Sequence, residues 1–216
     1  MESVERLQKM YQKAELNPDL KPYYIVQNGI PMIKHPLVFS IFHMDIQNYI
    51  INQHYEWKKK AVKDAIKSKK WSSFIFLHER PYRLNAFIQI EPELRKKPKE
   101  YWNVLGSIWV DSENVWQNID EWRFLLEEGP EKDREYFMSK EDRAVFKELP
   151  QKLVVYRGYV PRQNKSGFSY TLNPEKAEWF SKRFGKTGKV LKREVTKDQV
   201  FAYKNDRNEQ EIIILD

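Results

Sequence analysis

The chain has 216 residues, 41% of them hydrophobic, 14% aromatic and 32% charged, with a net charge of +7 and no cysteine. That apolar content excludes a disordered chain, and no run approaches the roughly 18 apolar residues of a membrane-spanning helix. Without cysteine there is no disulfide framework, no thiolate zinc site and no cysteine nucleophile.

The opening Met1-Glu2-Ser3-Val4-Glu5-Arg6 lacks the apolar run of a secretory leader, so a cytoplasmic protein, away from membranes, is expected. A short helix is predicted from Ser3 to about Leu16, closed by Asn17-Pro18. Residues 23–26 and 30–33 flank Asn28-Gly29 and read as a hairpin, with Pro31 weakening the second strand. Asp45 is a candidate cap for a long helix over roughly 46–69, whose apolar residues recur near helical spacing. Residues 71–90 read as helical with an interruption at Pro81. A further helix starts near Pro98 and carries Tyr101, Trp102, Leu105 and Trp109. Ser112-Glu113-Asn114 opens the next, with Val115, Trp116, Ile119, Trp122, Leu125 and Leu126. Ser139-Lys140-Glu141-Asp142 resembles a capping box before a helix that ends at Leu149-Pro150.

Beyond Pro150 the texture changes. Residues 153–156 and 167–171 read as strands, and Asn173-Pro174-Glu175 reads as the start of a helix with proline at its first position. Ala177 to Phe184 continues that helix, and Gly185 with Gly188 ends it. Residues 190–195, 200–203 and 211–215 read as three more strands. The expected architecture is α+β: a mainly helical part over 1–150, then a compact β-α-β unit over 151–216. The latter carries 14 Lys/Arg against 8 Asp/Glu, whereas 1–150 is nearly balanced at 24 against 23. A basic C-terminal block points to an anionic ligand, either nucleic acid or a phosphate-bearing small molecule.

Phosphate-loop, dinucleotide-fold, metalloprotease and serine-hydrolase motifs are all missing. His35, His43, His54 and His78 show no metal-ligand spacing, so no metal is expected. The basic runs Lys58-Lys59-Lys60, 67–70 and 95–99 are interleaved with Trp57, Trp71 and Trp102, a combination that single-stranded nucleic acid binding uses. A solvated helix face over core tryptophans explains it as well, and the stripe Trp102, Trp109, Trp116, Trp122 reads as core.

Three short pieces near the C-terminus carry chemistry. Val155-Tyr156-Arg157-Gly158 ends an apolar strand on a guanidinium, a planar fork of donors suited to phosphate or carboxylate. Gly167-Phe168-Ser169-Tyr170-Thr171 places two hydroxyls at i and i+2 on a strand. In Arg207-Asn208-Glu209-Gln210-Glu211 two acids stand at i and i+2 before the apolar Ile212-Ile213-Ile214. An extended backbone there would put both carboxylates on one face, roughly 6–7 Å apart.

In this order the pieces resemble the arginine–serine–glutamate class of mono-ADP-ribosyltransferases of phage and bacterial type. The likeness rests on Tyr156-Arg157, Ser169-Tyr170-Thr171 and Glu209-Gln210-Glu211, with the aromatic Ala177-Glu178-Trp179-Phe180 after the serine strand. It implies a split β-sandwich of two small sheets around an NAD cleft, with NAD as co-substrate and a host protein as acceptor. Arg157 would bind the NAD phosphates and the nicotinamide-side ribose. Ser169 would hold that ribose and orient the catalytic acid, and Thr171 would support the strand. Glu211 would be the catalytic glutamate, gripping the ribose 2′-hydroxyl as nicotinamide leaves. Glu209 would orient and help deprotonate an arginine acceptor. Gly158 and Phe180 complete the implied cofactor-binding set. The family's middle motif is serine–threonine–serine; here Tyr170 stands in the middle and Thr171, still a hydroxyl, stands last.

The chemistry is consistent with those residue types. Breaking the nicotinamide–ribose bond develops oxocarbenium character, which a carboxylate beside the reacting carbon stabilises. A protonated guanidinium is a poor nucleophile, so a second carboxylate must engage it. The alternatives are a basic nucleic-acid-binding module and a catalytically inactive relative used for interaction.

Overall fold

The computed structural model describes residues 14–113, 115–185 and 187–215. The chain divides into two compact units, Met1–Glu91 and Pro92–Asp216. The expected N-terminal helix lies outside the described residues except for 14–16, which belong to no regular element.

In the first unit β1 (Tyr24–Gln27), β2 (Ile30–His35) and β3 (Val38–Ile41) form an antiparallel sheet in the order β1-β2-β3. Asn28 at φ 53° and Gly29 at φ 77° make the tight turn between the first two. Both central residues are left-handed, which matches the twist of the paired strands. The strand β3, not expected from sequence, pairs His35 with Val38 across a two-residue connection. Helix α1 (Asn48–Lys67) starts through a 3-10 turn, Asp45–Gln47. Asp45 therefore sits inside the first turn and not at the cap; the side chain of Gln47 accepts the Met44 N–H at 2.8 Å. Helix α2 (Trp71–Leu77), a 3-10 turn at Arg80–Tyr82 and α3 (Arg83–Leu94) follow, with Pro81 at the interruption. Leu20, Ile33, Leu37, Val38 and Tyr55 form a core on which Leu16, Ile51 and Val62 pack.

The second unit opens with α4 (Pro98–Asp111), α5 (Ile119–Glu127) and α6 (Lys140–Glu148), joined by 3-10 turns at Val115–Asn118 and Arg134–Phe137. Ser139 caps α6, its hydroxyl accepting the Asp142 N–H. Strands β4 (Lys152–Tyr159) and β5 (Ser169–Thr171), helix α7 (Pro174–Lys182), and strands β6 (Lys189–Thr196), β7 (Ala202–Lys204) and β8 (Glu211–Ile213) complete it. The change at residue 150 is thus the passage from helices to sheet within one unit. Trp102 and Trp109, seven residues apart on α4, are buried with Trp122, Phe137 and Phe201. Their rings meet edge-on, Trp109–Trp122 at 5.0 Å and Phe137–Phe201 at 5.4 Å, an arrangement that favours opposed ring quadrupoles. Phe201 belongs to the β-rich segment, so the helices of 98–137 supply the ground on which the sheet rests.

The five strands run in the order β6-β4-β5-β8-β7, every pair antiparallel. Hydrogen bonding joins them in one sheet, but unevenly. Eight residue pairs link β4 to β6, three link β5 to β8, and a single pair, Tyr156↔Thr171, links β4 to β5. Beyond that pair the ladder between the two strands stops.

Candidate active-site cleft

A cleft lies where the β4–β5 ladder stops. Arg157 and Gly158 stand on one lip, Ser169 on the other. The cavity, about 140 Å³ and open to solvent on one side, is lined by all seven residues singled out from sequence: Arg157, Gly158, Ser169, Thr171, Phe180, Glu209 and Glu211. Tyr156, Trp116, Arg183 and Arg207 line it as well.

Glu211 opens β8 and is 6% exposed. Pairing with Thr171 on one side and Lys204 on the other fixes its backbone. Its Oε2 accepts the Trp109 Nε1–H at 3.0 Å, and Ser169 lines the cleft beside it, two residues before its strand partner Thr171. Burial pushes its pKa above the ordinary value of 4.5; the neighbouring Ser169 and Trp109 side chains and the charge of Arg207 pull it back, while Glu209 pushes it further up. A buried carboxylate with a fixed indole donor and its backbone paired on both sides has little freedom to turn. Trp109 was expected only as core; it is core and also the anchor of this acid.

Thr171 does more than support a strand. Its hydroxyl donates to the Glu209 carbonyl at 2.6 Å and accepts the Asn173 N–H at 3.0 Å, tying β5 to the segment before β8. Glu209 does not share an extended strand with Glu211. Asn208 at φ 54° and Gln210 at φ 48° are left-handed on either side of it, and β8 begins only at Glu211. The two acids reach the same cleft across a turn. Glu209 meets the Arg207 guanidinium at 3.4 Å.

Arg157 departs most from expectation. Its guanidinium does not project as an open fork; it donates to the backbone carbonyls of Asn164, Lys165, Ser166 and Ser169. It lies so close to Gly167 that a Cβ there would overlap it. The side chain stitches the lips of the cleft where the ladder fails. Burial lowers its pKa, opposed by Tyr170 and Glu211. Gly158 has an equally mechanical reason: a Cβ on it would overlap the Ala177 carbonyl oxygen of α7. That helix is capped by Asn173, whose side chain accepts the Glu175 and Lys176 N–H groups, and it carries Phe180 to the cleft.

Of the tryptophans beside basic runs, Trp71 and Trp102 are buried, and Trp57 alone of the three is exposed. Trp116, expected in the core, is 43% exposed at the cleft. Among the described residues no group of three or more His, Asp or Glu is arranged to hold a metal ion, and no helix is long and apolar enough to cross a membrane. Comparison with protein-family models, curated proteins and solved structures finds no match for the chain.

Proposed function

We propose that the chain is an NAD-dependent mono-ADP-ribosyltransferase that modifies an arginine of a partner protein, with NAD hydrolysis as an accompanying activity. The observation that carries the reading is Glu211: a buried carboxylate, oriented by the Trp109 indole, lining with Ser169 a cleft at the end of the β4–β5 ladder. An acid so placed suits a reaction that builds positive charge on a sugar. As the glycosidic bond of NAD breaks, nicotinamide leaves neutral with the bonding electrons, and the ionised Glu211 stabilises the oxocarbenium-like carbon and holds the 2′-hydroxyl. The acceptor guanidinium attacks that carbon and gives up one proton, for which Glu209, across the turn, is the receiving carboxylate. Arg157 holds the cleft wall of residues 164–169 and lends it positive charge, with Arg183 on the same cleft. Both suit a dinucleotide's phosphates.

The two glutamates separate the steps. Glu211 acts whenever the nicotinamide bond breaks; Glu209 acts only when a guanidinium attacks. Glu211→Gln should lower both nicotinamide release and protein labelling by about 10²–10³. Glu209→Gln should suppress labelling and leave hydrolysis largely intact. The assay is nicotinamide release measured in parallel with transfer from NAD labelled on its adenylate side. Full activity in Glu211→Gln would refute the transferase reading, and equal loss of both activities in Glu209→Gln would refute the arginine acceptor.

A further inference from the structure

We infer that Arg207 is an internal acceptor, a site at which the chain attaches ADP-ribose to itself; the inference rests on the transferase reading above. Arg207 Nη2 lies 3.4 Å from Glu209 Oε2, and Nη1 approaches the Ser112 carbonyl at 3.5 Å. Arg207, Glu209 and Glu211 line the same cleft, and all three also border a smaller adjoining pocket with Val110, Lys204 and Asp206. The carboxylate assigned to gripping an acceptor guanidinium therefore already holds one, from two residues upstream.

Position and access both favour transfer. The side chains of Arg207 and Glu209 are 39% and 20% exposed, so the pair borders solvent and is not sealed into the core. The turn that presents them is fixed locally: Asn208 N–H donates to the Asn205 carbonyl, Gln210 N–H to the Asn205 side chain, and Asn205 N–H to Asp142. A nucleophile held beside its base on one short turn needs no encounter in solution, which favours it over any external acceptor at low concentration. In the step, the ribose–nicotinamide bond breaks and nicotinamide keeps its electron pair. An Nη of Arg207 supplies the pair for the new carbon–nitrogen bond, and one proton passes to Glu209 and on to water. The product guanidinium stays cationic but now carries a pyrophosphate into the place an external arginine would take. Modification is therefore self-limiting at one group per chain.

The test uses the full chain incubated with NAD alone, followed by peptide mass spectrometry and a nicotinamide assay. The expected result is ADP-ribose on Arg207, appearing at a first-order rate independent of protein concentration. The label should be lost in Glu211→Gln and in Arg207→Lys, which keeps the charge. Nicotinamide release with no label on Arg207, or with a rate that rises in proportion to protein concentration, overturns the internal acceptor and leaves the transferase reading standing. No nicotinamide release from the unaltered chain overturns that reading and the internal acceptor together.

Discussion

Glu211 is expensive to bury, and its titration should be visible in both stability and rate. Because burial raises its folded pKa above the ordinary 4.5, the protonated carboxyl fits the fold better than the carboxylate. Stability from this group is thus complete below pH 4.5 and is lost as pH rises from there through the folded value. Glu211→Gln, neutral at every pH, should gain in Tm relative to the unaltered chain across that interval, even as activity disappears. Activity should rise over the same interval, since only the ionised form stabilises a cation. Trp109→Phe removes one donor to the carboxylate, a hydrogen bond worth about 1.5–3 kcal/mol because the acceptor is charged. The acid limb of the rate profile should then move alkaline, because the lost donor favoured the ionised form. Thermal melts and rates across pH 4–9 check both; an unmoved limb in Trp109→Phe would remove the indole from the site.

At the scale of elements, Arg157 belongs to the loop it holds. Arg157→Lys keeps the charge but cannot reach four carbonyls with one ammonium, so residues 164–169 lose their fastening. The expected outcome is a loss of about 1–3 kcal/mol in unfolding free energy together with a raised KM for NAD, measured by denaturant titration and kinetics. A raised KM with unchanged stability would mean an open fork, as the sequence alone suggests. The elements themselves were legible where punctuation was local. Asn28-Gly29, Ser139, Asn173-Pro174 and Gly185 each act through their own backbone or the next three residues, and each falls at the end of an element. Much of the site's support was not legible. Trp109 reaches Glu211 across 102 residues of chain, and no spacing encodes that. Arg157 bonds to carbonyl oxygens, which every residue has, so no side-chain identity marks its partners. Gln210 gives no sign that it would turn left-handed and break the strand between the two acids.

At the scale of the molecule, the sheet of 151–216 is not self-sufficient. Phe201 packs against Trp102 and Phe137, Lys204 donates to the Phe137 carbonyl, and Glu211 needs Trp109. A chain beginning at residue 151 leaves those faces bare and should aggregate, whereas one beginning at Pro92 keeps the second unit whole and should fold. Circular dichroism and light scattering of the two fragments decide it; a folded, monodisperse 151–216 would show that the helices are dispensable. The uneven strand pairing has a mechanical consequence. With eight pairs on one side, three and three on the other, and one between, the sheet is two stiff plates joined by a compliant seam. Deformation applied anywhere to the plates concentrates at Tyr156, Thr171 and the Arg157 stitch. Gly158 and Arg157 ride on one plate, Ser169 and Glu211 on the other. Any closing about the seam therefore changes the width of the cleft while leaving the register of Ser169 against Glu211 undisturbed within its own plate.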